Sequence, residues 1–510
     1  MGKFMKVLTD VNNVINTFIW TKTGVWLLVG VGIVMTVLTA FFQVGHIDLW
    51  FKHTLGSLFK KDVIRHNKDK SAISPFQALC TARAATIGTG NIAGVAAAIC
   101  IGGPGAVFWM WVAAFFGMMT NYSENVLGIY FRRRNKDGEW SGGAMYYLED
   151  GLGAKKGCRG IAKVLAILFA IFAILASFGI GNMGQINKIV ANVEAAFHID
   201  ALSSVAVGSS DLYSVIIGLV IMLLTGLIVI GGLQRIANVA EKIVPFMVVL
   251  FVLGSLVIIG VNYDAILPAF KAIFVTAFKP MAAVGGTLGA IISKVVTQGF
   301  KRGVFSNEAG LGSSVMVHSN SNIKEPVKQG MWGIFEVFAD TIVVCTMTAL
   351  VVLTSGVYDL TTCDATGLND ATLVSEAFNS VFSWGNIGSK FIAVAMFLFA
   401  FTTVLGWSHY GSKAVEYLFG TKGVKVYKVI FVLMTISGAV MTSSLAWDIS
   451  DTFNGLMMIP NLIGVIVMAG LVRKITKNYL DRTVKGKDVK PILSYDERLQ
   501  AEAEAEINKQ

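Results

Sequence analysis

The chain has 510 residues, 54% hydrophobic and only 15% charged, against the roughly 25% charge of an average soluble protein. Apolar windows of about 20 residues recur along its whole length, which excludes a soluble globular enzyme and a disordered chain and reads as an all-α polytopic membrane protein. The net charge of +10 points to anionic lipid at one face, with no nucleic acid as partner.

Eleven spans are predicted, at roughly 24–44, 78–101, 105–131, 159–194, 212–232, 238–260, 285–319, 329–354, 388–418, 424–443 and 448–473. The first apolar run, about 21 residues, is too long for the core of a cleavable leader and is read as a span. Segments 48–60 and 265–280 are apolar with scattered charge and read as interfacial or loop helices. The tail from Arg473 ends "RLQAEAEAEINKQ" and reads as a charged extension, partly helical or disordered. Cys80, Cys100, Cys158, Cys345 and Cys363 form no CxxC or Cys/His spacing, so neither a disulfide nor a structural metal is expected.

Lysine and arginine orient the chain in the cell membrane. Segments 45–77, 132–160, 233–242, 320–328, 419–425 and the tail hold 28 of the 42 basic residues, and the alternate segments hold 5. Basic loops stay inside, so the N-terminus is expected outside and the C-terminus in the cytoplasm. Without the first span, ten remain. The chain therefore divides into an extra span with a basic loop (1–77), five spans (78–260), a loop helix with five more (261–473) and the tail (474–510). An odd number of spans per block inverts the second block relative to the first. The third span of each block, 159–194 and 388–418, is overlong: at 1.5 Å per residue these reach about 45–55 Å against a core of about 30 Å, so they should tilt.

Each block opens on an interrupted apolar segment. In the first, "ARAATIGTGNIAGVAAAICIGGPG" carries "GTGN" (Gly88 to Asn91) at its middle. In the second, "RGVFSNEAG" (Arg302 to Gly310) places Asn307 and Glu308 in apolar surroundings. Unwound backbone at membrane depth is tolerated only where protein buries it or it lines a cavity. The start of a second half-helix offers free N–H groups to a carboxylate, and the end of the first offers carbonyls to a cation or an ammonium. Paired interruptions in two halves thus suit a transporter site for a zwitterion and a small cation. A glycine packing surface fits "GNIAGVAAA" as well. Lys301 and Arg302 fit a loop equally.

"GTGNIAGVAAAICIGGPGAVFWMW", "TNYSENVLGIYFR", "GGAMYYLEDGL", "RGVFSNEAGLGSS" and "LGWSHYGSKAVEYLFG" resemble the alanine or glycine:cation symporter family, also called sodium:alanine symporters. The resemblance covers nearly the whole chain before the tail. It implies a leucine-transporter-like five-plus-five inverted repeat preceded by one extra helix, and sodium-coupled symport of a small neutral amino acid. It also implies substrate contacts at Thr89, Gly90 and Asn91, at Gln185, at Phe305, Ser306 and Asn307, and at Thr403 and Trp407. By analogy with the wider fold, carbonyls of Ala84 and Ile87 and hydroxyls of Thr402 and Thr403 would hold sodium, with no other metal or cofactor. Each position has a plainer alternative: an interhelical hydrogen bond for Gln185, an interfacial ring for Trp407, back-bonding for the threonines. Glu124, Glu308, Glu336 and Asp340 receive no role. The oligomeric state is not set by the sequence.

Other classes are disfavoured. There is no HExxH and no GxSxG nucleophile elbow, and the six histidines are scattered. A channel needs no overlong tilted pair. Glutamine or serine as substrate, or a proton as coupling ion, remain open on the same fold.

Overall fold

The structure is a computed structural model describing residues 2–58, 72–207, 210–279, 288–363, 365, 367–368, 370–382, 384–441 and 444–507. The basic stretch 59–71 and residues 285–287 of the seventh expected span lie outside the described residues. Seven described helices are long and apolar enough to cross a membrane: Thr9–Leu38, Arg159–Ala196, Leu212–Val229, Gly232–Val261, Pro326–Thr354, Ile387–Ala439 and Asp448–Val467. The pair Pro75–Thr86 and Gly90–Gly102, bent by 55°, makes an eighth.

Several boundaries differ from expectation, each for a local reason. The first span starts earlier than residue 24, because the Gly2–Thr17 helix runs through a π turn (Phe18–Thr23) into Gly24–Leu38. It ends before residue 44 at a turn where Ala40 and Phe41 take φ of 54° and 55°. The expected spans 388–418 and 424–443 are two helices within the stretch Ile387–Ala439, separated at Gly420 with φ 72° and ψ −178°, a conformation that glycine alone adopts without strain, and the second ends at Ala439. Lys301 and Arg302 lie inside the Leu288–Asn307 helix and not in a loop. Lys301 pairs with Asp451 at 2.9 Å. The fold is not purely α: Arg133–Arg134 pairs with Trp140–Ser141, and Ala206–Val207 with Ser210–Asp211, as two small antiparallel hairpins.

The Gly105–Tyr130 helix runs through the middle of the bundle, against Pro326–Val337 and Leu288–Asn307. Its polar stretch Thr120 to Asn125 is wholly buried, so protein and not lipid surrounds it. The expected loop helix 265–280 is observed as Ile266–Phe278. It lies backbone to backbone on Gly105, where a Cβ would overlap Thr276 and Ala277.

The basic loops gather on one face. Ile73 N donates to Asn320 O (3.1 Å) and Asn322 N to Ile73 O (3.0 Å). Gln234 Nε2 donates to Ala72 O at 2.8 Å. Arg132 caps the carbonyls of Ser319, Ser321 and Ile323 while its guanidinium stacks 3.9 Å from the Trp140 ring centre. The helix before Gly420 reaches the same hairpin: Lys413 Nζ donates to Trp140 O at 3.0 Å, and Glu416 accepts from Asn135 Nδ2 at 3.2 Å and from Ser141.

The described tail is partly helical, one of the two states expected of it, and is docked on this face. The Ala469–Thr483 helix is followed by an extended strap and the Glu497–Ile507 helix. Tyr495 N donates to Tyr130 O at 2.9 Å. Leu499 is buried with Ala72 and Trp140, and Arg482 meets Glu325 at 2.9 Å. Burial raises the Glu325 carboxyl above its ordinary range, with Arg482 acting against it. Gln500 fixes the strap: its Oε1 accepts from Leu493 N and Ser494 N at 2.8 Å each, and its Nε2 donates to Pro491 O at 2.8 Å. Each bond is worth about 1 kcal/mol net. Gln500→Ala should therefore raise amide hydrogen exchange across 484–507 by roughly tenfold to a hundredfold and leave the buried helices unchanged. Unchanged protection of the strap would mean that Leu499 and the ion pairs hold it without Gln500.

Candidate functional site

The first broken helix starts on a capping box. Ser74 Oγ accepts from Gln77 N, Gln77 Oε1 accepts from Ser74 N, and Pro75 follows at N1. It ends at Ile87, whose ψ of 89° turns the chain out. Gly88 N donates to Asn91 Oδ1 at 3.1 Å. The chain re-enters helix through a π turn, Gly90–Gly94. The first N–H groups of a helix have no carbonyl behind them, so Thr89 and Gly90 begin a new helix at mid-bundle.

The second broken helix, Leu288–Asn307, stops at Glu308, whose φ is 54°. Gly310 (φ 90°) and Gly312 (φ 73°) follow before the short Val315–His318 helix. A left-handed glutamate is costly and persists only when its surroundings fix it. Here they do. Gly312 N donates to Glu124 Oε1 at 3.2 Å, and Asn461 Nδ2 donates to Gly310 O at 2.8 Å and to Glu124. Tyr147 OH holds Asn461 Oδ1. Three separate elements thus clamp the unwound stretch.

Two more π turns face this region: Gly179–Met183, just before Gln185, and Phe338–Cys345, which carries Asp340. Such turns re-aim side chains and recur at functional sites.

Between the breaks lies a small cavity. Six of the expected substrate residues line it: Thr89, Gly90, Gln185, Phe305, Thr403 and Trp407. The breaks touch closely: a Cβ at Gly90 would come 3.0 Å from Phe305, and one at Gly88 would come 2.5 Å from Thr403 Oγ1 and 3.5 Å from Gln185 Oε1. Trp407 packs its ring on Gly181 and donates Nε1 to Glu308 Oε1 at 3.0 Å.

The other three expected contacts sit behind the cavity wall. Asn91 Nδ2 donates to Asp340 Oδ1 at 2.7 Å, and Ser306 Oγ to Asp340 Oδ2 at 2.6 Å. Asn307 Nδ2 donates to Thr341 Oγ1 (3.0 Å), and Asn307 Oδ1 accepts from Ala309 N (3.0 Å). Their side chains tie the breaks to the Pro326–Thr354 span.

Of the expected sodium ligands, Ala84 and Ile87 stand at the open C-terminal end of the first half-helix, where the last carbonyls lack helical donors. Thr402 Oγ1 and Thr403 Oγ1 both donate to Phe399 O at 3.0 Å, so the two hydroxyls sit together and keep their lone pairs free.

Sequence reasoning gave no role to three polar residues that line the cavity, Thr86, Glu308 and Asn454. For Glu308 the signal was present, a charge inside an apolar segment. Asn454 is an amide among apolar neighbours, a weaker version of the same signal. Gly88, part of the quoted "GTGN", also lines the cavity.

The model of the "Sodium:alanine symporter family" matches residues 5–492. The chain is 42% identical to the sodium/alanine symporter AgcS of Methanococcus maripaludis, over 92% of this chain and 96% of that protein. It is 34% identical to a Bacillus subtilis protein named "Probable sodium/glutamine symporter GlnT", over 95% and 93% of the two chains. In fold it is similar to the crystal structure of MhsT in complex with L-phenylalanine, with a TM-score of 0.52 at 12% identity, covering 80% of this chain and 99% of that one. With the family model matched over residues 5–492 and a bundle of membrane-length helices, this chain is a multi-pass membrane transporter belonging to the sodium:alanine symporter family.

Proposed function

We propose that the protein imports a small neutral amino acid such as alanine or glycine, coupled to sodium. The observation that carries this is the cavity between the breaks, with helix-start N–H groups at Thr89–Gly90 on one side and Phe305 and Trp407 closing another. The N–H groups suit an α-carboxylate, and the aromatic pair limits the side chain. AgcS, the similar archaeal protein, carries sodium and alanine in its name. Sodium is supported by an oxygen-only set: carbonyls of Ala84 and Ile87 with Thr402 and Thr403. Such donors suit a hard cation. One charge crossing 100 mV supplies about 2.3 kcal/mol, and a tenfold sodium gradient about 1.4 more.

The same proposal includes eleven spans in a five-plus-five inverted repeat after one extra helix, with the divisions at 77, 260 and 473. The docked face carries the basic loops, which supports a cytoplasmic C-terminus and an external N-terminus. Glutamine is the second substrate to weigh, since GlnT, also similar, is named for it.

Uptake into proteoliposomes across an amino-acid panel, with and without a sodium gradient, tests the proposal. Alanine or glycine should accumulate only with sodium; equal accumulation driven by a pH gradient alone would make the proton the coupling ion. Thr403→Val keeps the shape and removes a hydroxyl, and should raise the sodium concentration for half-maximal uptake at least tenfold at equal protein level.

Substrate size should be read at Trp407. Trp407→Ala opens a void beside a small ligand, so the ratio of glutamine to alanine uptake should rise, by tens of fold at most, since a pocket distinguishes single methylenes by about 1–3 kcal/mol. The ratio is the readout because loss of the Glu308 donor affects both ligands alike. A constant ratio would remove Trp407 from the size filter.

Orientation is checked with single cysteines in a cysteine-free background at the exposed positions Lys136 and Thr361. An impermeant maleimide on whole cells should label Thr361→Cys and spare Lys136→Cys; the reverse would invert the topology.

A further inference from the structure

Glu308 is the one charged side chain among the described residues that line the cavity. It is buried. Its Oε1 accepts from Trp407 Nε1 at 3.0 Å and its Oε2 from Ser313 Oγ at 2.6 Å. Each carboxyl oxygen thus has one neutral partner. Among the described residues no lysine, arginine or histidine nitrogen lies within ion-pair distance of it. A buried carboxylate with only neutral donors is costly unless something cationic joins it.

A second, independent observation concerns the amides. Gln185 Oε1 and Asn454 Oδ1 belong to buried side chains that line the same cavity, and neither accepts a hydrogen bond from any described residue. The Gln185 assignment is fixed by its own geometry, because Nε2 donates to Ile180 O at 3.1 Å. Buried acceptors left open are costly and call for a donor. The cavity therefore offers two kinds of partner: helix-start N–H groups at Thr89–Gly90, and a carboxylate with open side-chain oxygens of Gln185 (beside Gly88), Asn454 and Thr86.

We infer that Glu308 is the specificity-determining residue that makes an ammonium group compulsory on the ligand: its carboxylate, with Gln185 Oε1 and Asn454 Oδ1, receives the α-ammonium while the helix start holds the α-carboxylate. An ammonium has three donors and one positive charge, matching three acceptors and one negative charge. A 2-hydroxy acid or a simple carboxylic acid of the same size brings the carboxylate and not the charge. It leaves Glu308 uncompensated and is refused. This rests on the amino-acid reading of the cavity.

The test pairs deletion of the ammonium from the ligand with deletion of the charge from the protein. Purified full-length protein in saturating sodium is titrated with L-alanine, L-lactate and propionate, by displacement of radiolabelled alanine or by the ligand-induced rise in melting temperature. Wild type should prefer alanine to lactate by at least a hundredfold. Glu308→Gln should weaken alanine by tenfold or more and leave lactate within about threefold, so that the ratio collapses. Glu308→Asp keeps the charge and should keep most of the ratio. Trp407→Phe removes the indole donor without touching the charge, and should scale both ligands together. If Glu308→Gln scales alanine and lactate equally, as Trp407→Phe does, the carboxylate only positions the tryptophan and the inference fails. If it raises the sodium requirement at an unchanged ratio, the carboxylate serves the cation and the inference fails. Should Glu308→Gln not fold, the wild-type comparison decides: lactate bound as tightly as alanine overturns the inference, and refusal together with a retained ratio in Glu308→Asp supports it. Failure of wild type to bind or transport any amino acid would instead overturn the function proposed above.

Discussion

Asp340 holds the two broken helices together. Its carboxylate is fully buried and accepts from Asn91 Nδ2 in the first break, Ser306 Oγ in the second, and Thr341 Oγ1 beside it. A carboxylate in the interior must be hydrogen-bonded to be tolerated, and here that requirement is met by residues from both breaks at once. The breaks are therefore held against each other at this point, and the cavity lies between them for the same reason. The side chains of Asn91 and Ser306 are turned toward Asp340, and Thr89 and Gly90 are left lining the cavity.

The remaining irregular backbone obeys the same accounting, because every freed N–H or C=O at depth needs a partner. Around Glu308 to Gly312 the partners are Glu124 and Asn461, drawn from helices more than a hundred residues away on either side. Beyond the short Val315–His318 helix, Arg132 supplies the donors for three successive loop carbonyls. An otherwise apolar bundle thus carries a narrow polar seam, running from Asp340 past Glu308 and Glu124 to Arg132. Nearly every member of it secures unwound chain.

Much of this was legible in the sequence and some was not. The breaks were legible because glycine and asparagine in an apolar run are locally incompatible with a simple helix, whatever surrounds them. Thr89, Gly90, Gln185, Phe305, Thr403 and Trp407 follow from motifs, and the cavity brings them together. The turning of Asn91 and Ser306 toward Asp340 was not legible, since those pairs are separated by 249 and 34 residues and no local pattern links them. The docking of the tail was not legible for a different reason. Its composition is that of a solvated segment, and its docking depends on a few anchors, Leu493, Leu499 and Ala503, spaced too irregularly to form a stripe. The separation of two spans at Gly420 was legible, because a glycine among lysines reads as a break between helices.

The helix before Gly420 is an unbroken rod of about 50 Å. Thr403 and Trp407 stand on it at cavity level, and Lys413 and Glu416, bound to the Trp140 hairpin, stand further along it. A rigid rod cannot lengthen or fold, so its two stations move only as a lever. From Trp407 to Glu416 the arm is about 13 Å, and a tilt of about 10° pivoting at the cavity would sweep its end through roughly 2 Å. That sweep is comparable to the length of a hydrogen bond. The hairpin contacts at Lys413 and Glu416 are therefore sensitive to the tilt of the same rod that carries the cavity wall.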